Sequence, residues 1–262
     1  MSLLRPWVNA QNLYRRKSAE LFSRKVFDIE TSRPIISFTF DDFPRSALWL
    51  GGAILEDSGL AGTYYVSLGL LGNDSPNGRI ADATDLPRLV AHGHELGCHT
   101  FAHCDSWETE PAAFEGSIIE NRRALSTHLS GVEFKTFSYP ISLPRPTTKS
   151  RVAKHFLCSR AGGQTCNTGK TDLNQLSAFF LEKSTHRIQE VKRMIDSNRQ
   201  ALGWLIFATH DVSQNPSPFG CTPEFFAEIV RYAVSSGSLI LPVVRALEMI
   251  LGVAKATEEM SL

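Results

Sequence analysis

Short apolar runs rich in β-branched and aromatic residues alternate with helical patterns from residue 34 onward. Pro34-Ile-Ile-Ser-Phe-Thr-Phe-Asp-Asp reads as a first strand, and Gly62-Thr-Tyr-Tyr-Val-Ser-Leu as a second. Glu95-Leu-Gly-Cys-His and Val132-Glu-Phe-Lys-Thr-Phe-Ser-Tyr follow, then weaker runs at Phe156–Arg160 and Ala178–Glu182. Leu205-Ile-Phe-Ala-Thr-His and Leu239-Ile-Leu-Pro-Val close the series. Between them, Phe114, Ile118, Leu125 and Leu129 share one face at a 3.6-residue period, which predicts a helix over 111–129. Thr222-Pro223 supplies a cap and a first-turn proline for a helix that Gly237 stops. Helices are also expected over 84–92 and 187–200.

Alternation of this kind implies a mostly parallel sheet with crossover helices, open or closed into a barrel. Parallel strands place chemistry on loops beyond their C-terminal ends. Three polar clusters stand at such ends: Asp41-Asp42, His99-Thr-Phe-Ala-His103, and His210-Asp211.

His99 and His103 are four apart, close enough for one turn or tight loop to bring both imidazoles to one ion. Taken alone, His-x3-His is more often a pair of surface or packing histidines. An acidic pair on another strand end changes the balance, because two neutral histidines and one carboxylate form a three-ligand set with room for water. Cys98 and Cys104 flank the histidines and leave a Cys/His structural site as the rival. Strand alternation argues against it by turning Cys98 away from His99. Asp41 and Asp42 could simply cap a helix or face solvent. Adjacent carboxylates raise each other's pKa, however, and a divalent cation would relieve that conflict. His210 could be a buried histidine satisfied by a carbonyl, or a proton donor facing the other clusters.

The residue order Ser37-Phe-Thr-Phe-Asp-Asp-Phe-Pro44, Gly93-His-Glu-Leu-Gly-Cys-His-Thr-Phe-Ala-His103, Phe137-Ser-Tyr-Pro-Ile-Ser142 and Phe207-Ala-Thr-His210 resembles the successive motifs of the polysaccharide deacetylases. These are the NodB-homology or carbohydrate esterase family 4 enzymes, and the resemblance covers roughly residues 34–250. It implies an α/β fold, a distorted (β/α)7 barrel with a divalent metal at its mouth, zinc foremost and cobalt, nickel or iron as alternatives. By resemblance Asp41 is the catalytic base, Asp42, His99 and His103 are metal ligands, and His210 is the catalytic acid. Tyr139, Pro140, Ile141 and Phe207 would line the substrate or oxyanion pocket, with a backbone N–H near Ile141 holding the oxyanion.

Departures from the family pattern are specific. Phe43 stands where glycine is common and is expected to narrow the groove. Ser138 replaces an arginine that braces the base in many members, and Arg160 is the candidate substitute. Ile141 replaces a common aromatic, Phe207 replaces a leucine, and the fourth motif is not visible. Trp49, Trp107 and Trp204 are read as packing aromatics, with Trp107 the best placed for a sugar ring. His92 and His94 are read as surface or supporting groups.

The implied reaction is hydrolysis of an acetyl group, N-acetyl favoured, from an amino-sugar or oligosaccharide. Alternatives are a cyclic amide or ureide hydrolase on the same fold and an inactive carbohydrate-binding relative. Composition agrees with a small-molecule or saccharide partner. With 27 basic against 27 acidic side chains there is no basic surplus for nucleic acid. No run approaches the length of a membrane span. Five cysteines, an odd number, do not form a disulfide framework, and no secretory leader is evident, so a cytoplasmic location is expected.

Residues 1–33 are expected to form a basic amphipathic arm ahead of a catalytic barrel at 34–262. Arg5, Arg15, Arg16, Lys17, Arg24 and Lys25 oppose only Glu20 up to residue 27. The arm reads as a helix packing Leu13, Leu21 and Phe22 on the barrel, with a transit peptide as the alternative.

Overall fold

A computed structural model of the chain describes residues 5–141, 143–184 and 187–259. The chain opens with α1 (Arg5–Leu21) and β1 (Val26–Ile29) and enters the main sheet at β2 (Ile35–Phe40). A π-helical turn at Ala47–Gly52 runs into α2 (Ala53–Glu56), which leads to β3 (Thr63–Val66). A hairpin of β4 (Asp74–Ser75) and β5 (Gly78–Arg79) precedes α3 (Asp85–Ala91) and β6 (Glu95–Cys98). α4 (Pro111–His128), β7 (Thr136–Ser138), α5 (Pro146–Val152) and β8 (Cys158–Gly162) follow. β9 (Gly169–Asp172), β10 (Leu176–Phe180), α6 (Ile188–Ala201) and β11 (Trp204–Thr209) come next. α7 (Pro223–Ser235), β12 (Leu239–Ile240) and α8 (Val243–Glu259) complete the order.

Seven parallel strands run in the order β2, β3, β6, β7, β8, β10 and β11, and β11 pairs back onto β2 to close a barrel. The expected (β/α)7 barrel is therefore present. Its distortion has a local cause. β2 pairs with β3 only at Thr39 and Phe40, while its start, Ile35 and Ile36, pairs with β12. β12 thus wedges into the seam at the end remote from the strand C-termini. Val243 N–H at the head of α8 donates to Thr63 Oγ1 (2.9 Å), and Val244 N–H donates to Glu95 Oε2 (2.9 Å).

Strand alternation sorts the residues into two cores. Ile36, Phe38 and Phe40 of β2, with Leu205 and Phe207 of β11, pack outward against Val191 and Ile195 of α6 and Phe226 and Ile229 of α7. Ile35, Trp204, Ile206 and Ala208 belong to the second, inner cluster with Val243 and Leu247 of α8. Trp204 Nε1 donates to Ser37 Oγ there (3.0 Å). The α7 cap forms as its sequence predicts: Thr222 Oγ1 accepts from Phe225 N–H, and Gly237 takes φ +75°.

β1, β9 and α8 are among the elements with no counterpart in the apolar pattern. β1 pairs antiparallel with β9, a strand reading Gly-Lys-Thr-Asp, so an N-terminal segment reaches the body through backbone pairing. α8 continues directly from β12. The arm also packs differently from expectation. Leu13, Leu21 and Phe22 are exposed (50%, 66% and 58%), while Ser18 and Ala19 are buried. α1 docks through small residues, which permit close approach, and through a buried ion pair beneath it. Lys149 Nζ, fully buried on α5, donates to Ala19 O (2.6 Å) and Asp172 Oδ2 (2.6 Å). Asp172 Oδ1 accepts from Lys25 N–H (2.9 Å) and Asn174 N–H (3.0 Å). Among the described residues, no helix is long and apolar enough to cross a membrane.

This pair supports a prediction. Lys149→Met leaves Asp172 buried without its cation and should cost about 3–5 kcal/mol in denaturant unfolding. Adding Asp172→Asn to it should recover part of the loss, whereas equal losses for single and double variants would show that the charge pair is not what holds α1 down.

Candidate functional site

The barrel mouth gathers the residues whose parity points inward. On β2 and its continuation the inward set is Ile35, Ser37, Thr39 and Asp41; on β6 it is Glu95, Gly97 and His99; on β11 it is Trp204, Ile206, Ala208 and His210. Cys98 turns outward as expected, buried in the helix-facing core, where Asn121 Nδ2 lies 3.3 Å from its sulfur. Burial pushes its thiol up to about 11, so it is an inert packing group.

Asp42, His99 and His103 converge. Their ligand atoms lie within 4.8 Å of one another. Asp42 Oδ1 is 3.4 Å from His99 Nε2 and 3.1 Å from His103 Nε2, yet this buried oxygen has no hydrogen-bond partner. His99 Nδ1 sits 2.8 Å from the Ser138 carbonyl, which can only accept, so Nδ1 carries the proton and Nε2 is left with its lone pair. A lone pair and a carboxylate oxygen thus face each other in a buried site, an arrangement one cation short of neutrality. Burial alone would raise the Asp42 carboxyl; the His103 and His99 imidazoles beside it outweigh that and hold the group well below the usual carboxylate range. Burial likewise opposes charge on His103, but Asp42 and then Asp41 raise its pKa overall.

The loops that present these groups are fixed and strained. Ser117 of α4 accepts from Phe101 N–H through its carbonyl (3.1 Å) and hydroxyl (3.0 Å), anchoring the turn between the histidines. Asp42, Phe43, Thr100, His103 and Ile141 all have φ between 53° and 63°. Left-handed backbone at non-glycine residues costs energy and collects where function requires an unusual side-chain direction.

Asp41 is buried and accepts from Arg160 Nη2 across the barrel mouth. Arg160, 1% exposed, lies over the Tyr65 ring at 4.6 Å. It is the register partner of Ser138 on the neighbouring strand, so the guanidinium reaches Asp41 from one strand over. The Ser138 hydroxyl, buried beside it, has no hydrogen-bond partner. His210 Nδ1 donates to Phe219 O (3.2 Å), which turns Nε2 inward to 3.9 Å from Asp42 Oδ2. Its ring stacks on Phe180, centroids 6.5 Å apart.

The structure therefore brings Asp41, Asp42, His99, His103, Arg160 and His210 together. Other expected residues sit elsewhere. Phe207 is 1% exposed and stacks on Phe38 (5.5 Å) in the helix-facing core, so its ring points away from the mouth. Tyr139 and Pro140 are buried, with the Tyr139 hydroxyl on Asn174 O (3.3 Å), leaving Ile141 as the exposed residue of that loop at 69%. Ser142 of the same motif lies outside the described residues. Phe43 does not narrow the groove: it is fully buried, its ring edge-on to Tyr64 at 5.2 Å. Trp204 is buried, Trp49 is half-exposed under Arg88 (4.8 Å), and Trp107 carries Arg15 at 5.1 Å. His94 is held by Gly62 N–H and Glu56, apart from the cluster.

Two residues near the site were not singled out in the sequence. Glu182, just past β10, is pushed up to about 7, mainly by burial and with Asp41 adding to the rise. Asn77, on the β4–β5 hairpin, donates from Nδ2 to Asp42 Oδ2 at 2.8 Å. Its Asn77-Gly78 dipeptide is a recognisable hairpin signal, but nothing in it locates the turn above Asp42.

Comparison with known proteins places this geometry. A family model described as polysaccharide deacetylase matches residues 28–156. No curated protein matches the chain. A family 4 acetyl xylan esterase from Clostridium thermocellum, solved with a cobalt ion, is 25% identical with a TM-score of 0.59, covering 83% of this chain and 92% of its own. Peptidoglycan deacetylase PdaC from Bacillus subtilis is 14% identical with a TM-score of 0.56, covering 88% and 97%. A family 4 carbohydrate esterase from Streptomyces lividans, in complex with acetate, is 17% identical with a TM-score of 0.55, covering 79% and 91%.

The orphaned hydroxyl yields a simple expectation. Because Ser138 Oγ is buried without a partner, Ser138→Ala should leave unfolding free energy unchanged or raise it by up to about 1–3 kcal/mol. A clear loss of stability would mean that the hydroxyl has a partner.

Proposed function

We propose that this chain, which the polysaccharide deacetylase family model matches over residues 28–156, is a metal-dependent hydrolase that removes acetyl groups, N-acetyl foremost, from an amino-sugar or oligosaccharide. The observation that carries this reading is the buried, unpartnered Asp42 Oδ1 facing Nε2 of both His99 and His103. The set is oxygen and nitrogen only, with the His99 tautomer fixed by Ser138 O, which suits zinc or a similar divalent ion. A divalent cation held by these three residues would supply Lewis-acid polarisation of the acyl carbonyl and lower the pKa of water.

Each neighbouring residue then has a task that its environment fits. Asp41 takes the proton of the attacking water, and its contact with the Arg160 guanidinium aims that carboxylate. His210 delivers a proton from Nε2 to the departing amine, since Phe219 O retains the one on Nδ1. The backbone N–H of Ile141, on a loop held in left-handed conformation, donates to the oxyanion, and its exposed side chain meets the substrate. The acetyl xylan esterase and the peptidoglycan deacetylase among the structural neighbours support acetyl removal over ring opening of cyclic amides. Retention of Asp41, Asp42, His99, His103 and His210 argues for turnover over mere binding.

Metal-supplemented protein should release acetate from acetylated amino-sugar oligomers, detected by an enzyme-coupled assay. Asp41→Asn should lower kcat about 10²–10⁴-fold, the range for loss of a general base, with metal content unchanged. Absence of acetate across acetylated saccharides with zinc, cobalt, nickel and iron, or an Asp41→Asn variant as active as the parent, would remove the proposal.

A further inference from the structure

Asn77 lies 35 residues from Asp42 in sequence and reaches it from a separate hairpin. The hairpin is internally fixed: Ser75 Oγ donates to Gly78 O (2.8 Å), Asn77 N–H donates to Ser75 Oγ (3.1 Å), and Gly78 takes φ +94° to make the turn. It is also stitched to the loop that carries Asp42. Pro44 bridges to Ile80, and Ala81 N–H donates to Phe43 O (3.0 Å). Asn77 is 8% exposed, and the carboxylate it faces can only accept, which sets its amide nitrogen toward Asp42. On the amide's other side, Ser217 Oγ stands 3.4 Å from Asn77 Oδ1. Ser217 is itself held by buried Asp211 through its hydroxyl (2.5 Å) and its N–H (2.9 Å).

The two oxygens of Asp42 are thereby made unequal. Oδ2 accepts from Asn77 and has His210 Nε2 at 3.9 Å; Oδ1 has no hydrogen-bond partner and faces both other ligands. Rotation about the last torsion of an aspartate is soft, so without a fixed donor the carboxylate plane would not be defined. We propose that Asn77 is a positioning residue for the cation site: it engages Oδ2 so that Asp42 presents Oδ1 alone to the ion, and it satisfies the oxygen that His210 would otherwise pair with. This proposal rests on the reading of Asp42, His99 and His103 as ligands.

The test uses the full chain, stripped of metal and titrated with cobalt(II), with affinity from chelator competition and the ligand-field absorption bands as a second readout. Asn77→Leu, close in volume but without a donor, and Asn77→Ala should bind cobalt about 10–100-fold more weakly, as loss of an outer hydrogen bond to a ligand typically does. Their absorption bands should shift, because the carboxylate no longer presents one fixed oxygen to the ion. Parental affinity and spectrum in both variants overturn the proposal. So does an affinity loss with the parent's absorption bands, since that assigns Asn77 to holding the hairpin and not to setting the carboxylate. A parent that binds no cobalt overturns the cation-site reading itself and this inference with it.

Discussion

Two imidazole nitrogens lie 3.4 and 3.1 Å from one carboxylate oxygen at the barrel mouth, and the proton on His99 is committed to the opposite side of its ring. Buried acceptors do not face each other without something positive between them, since an unpaired buried charge is among the most destabilising groups a protein can hold. The surroundings can be understood as devices that tolerate this arrangement. Ser138 O orients one imidazole, Asn77 engages the far oxygen of Asp42, and Ser117 ties down the turn between His99 and His103. The left-handed residues of these loops record the conformational energy that the rest of the barrel must outweigh.

A parallel barrel solves the problem of bringing such groups together from distant stretches of chain. Each strand sends alternate residues inward, and the inward series on β2, β6 and β11 ends on Asp41, His99 and His210. The same rule explains where the brace of Asp41 comes from. Ser138 and Arg160 are register partners on adjacent inward-facing strands, so an arginine on β8 can serve the position that Ser138 leaves short. The cost remains visible as a buried serine hydroxyl without a partner. Stacking of the guanidinium on Tyr65 holds it in the one orientation that meets the carboxylate.

Much of this was readable from residue order, and the failures have physical causes. Asp41, Asp42, His99, His103 and His210 were legible because each breaks an apolar strand at its C-terminal end, where parallel sheets place chemistry. Phe207 and Tyr139 misled because a linear motif hides strand parity: residues adjacent to inward-facing groups point into the helix layer. Phe43 misled for a related reason, its φ of 61° sending the ring down onto Tyr64 and out of the groove. Leu13, Leu21 and Phe22 looked like a packing face, yet α1 is anchored by Ala19, Lys149 and Asp172, a contact made between segments more than a hundred residues apart. Asn77 had a readable turn but an unreadable position, since the long-range pairing of Ile80 with Pro44 and Ala81 with Phe43 carries the hairpin over Asp42.

The most direct test of the cation-centred account is X-ray absorption spectroscopy of the zinc- or cobalt-loaded protein. The account predicts a first shell of nitrogen and oxygen only, at about 2.0–2.2 Å, with the outer-shell scattering of two imidazoles that is reduced to one in His103→Ala. A shell containing sulfur, or scattering from two imidazoles that persists in His103→Ala, would contradict it.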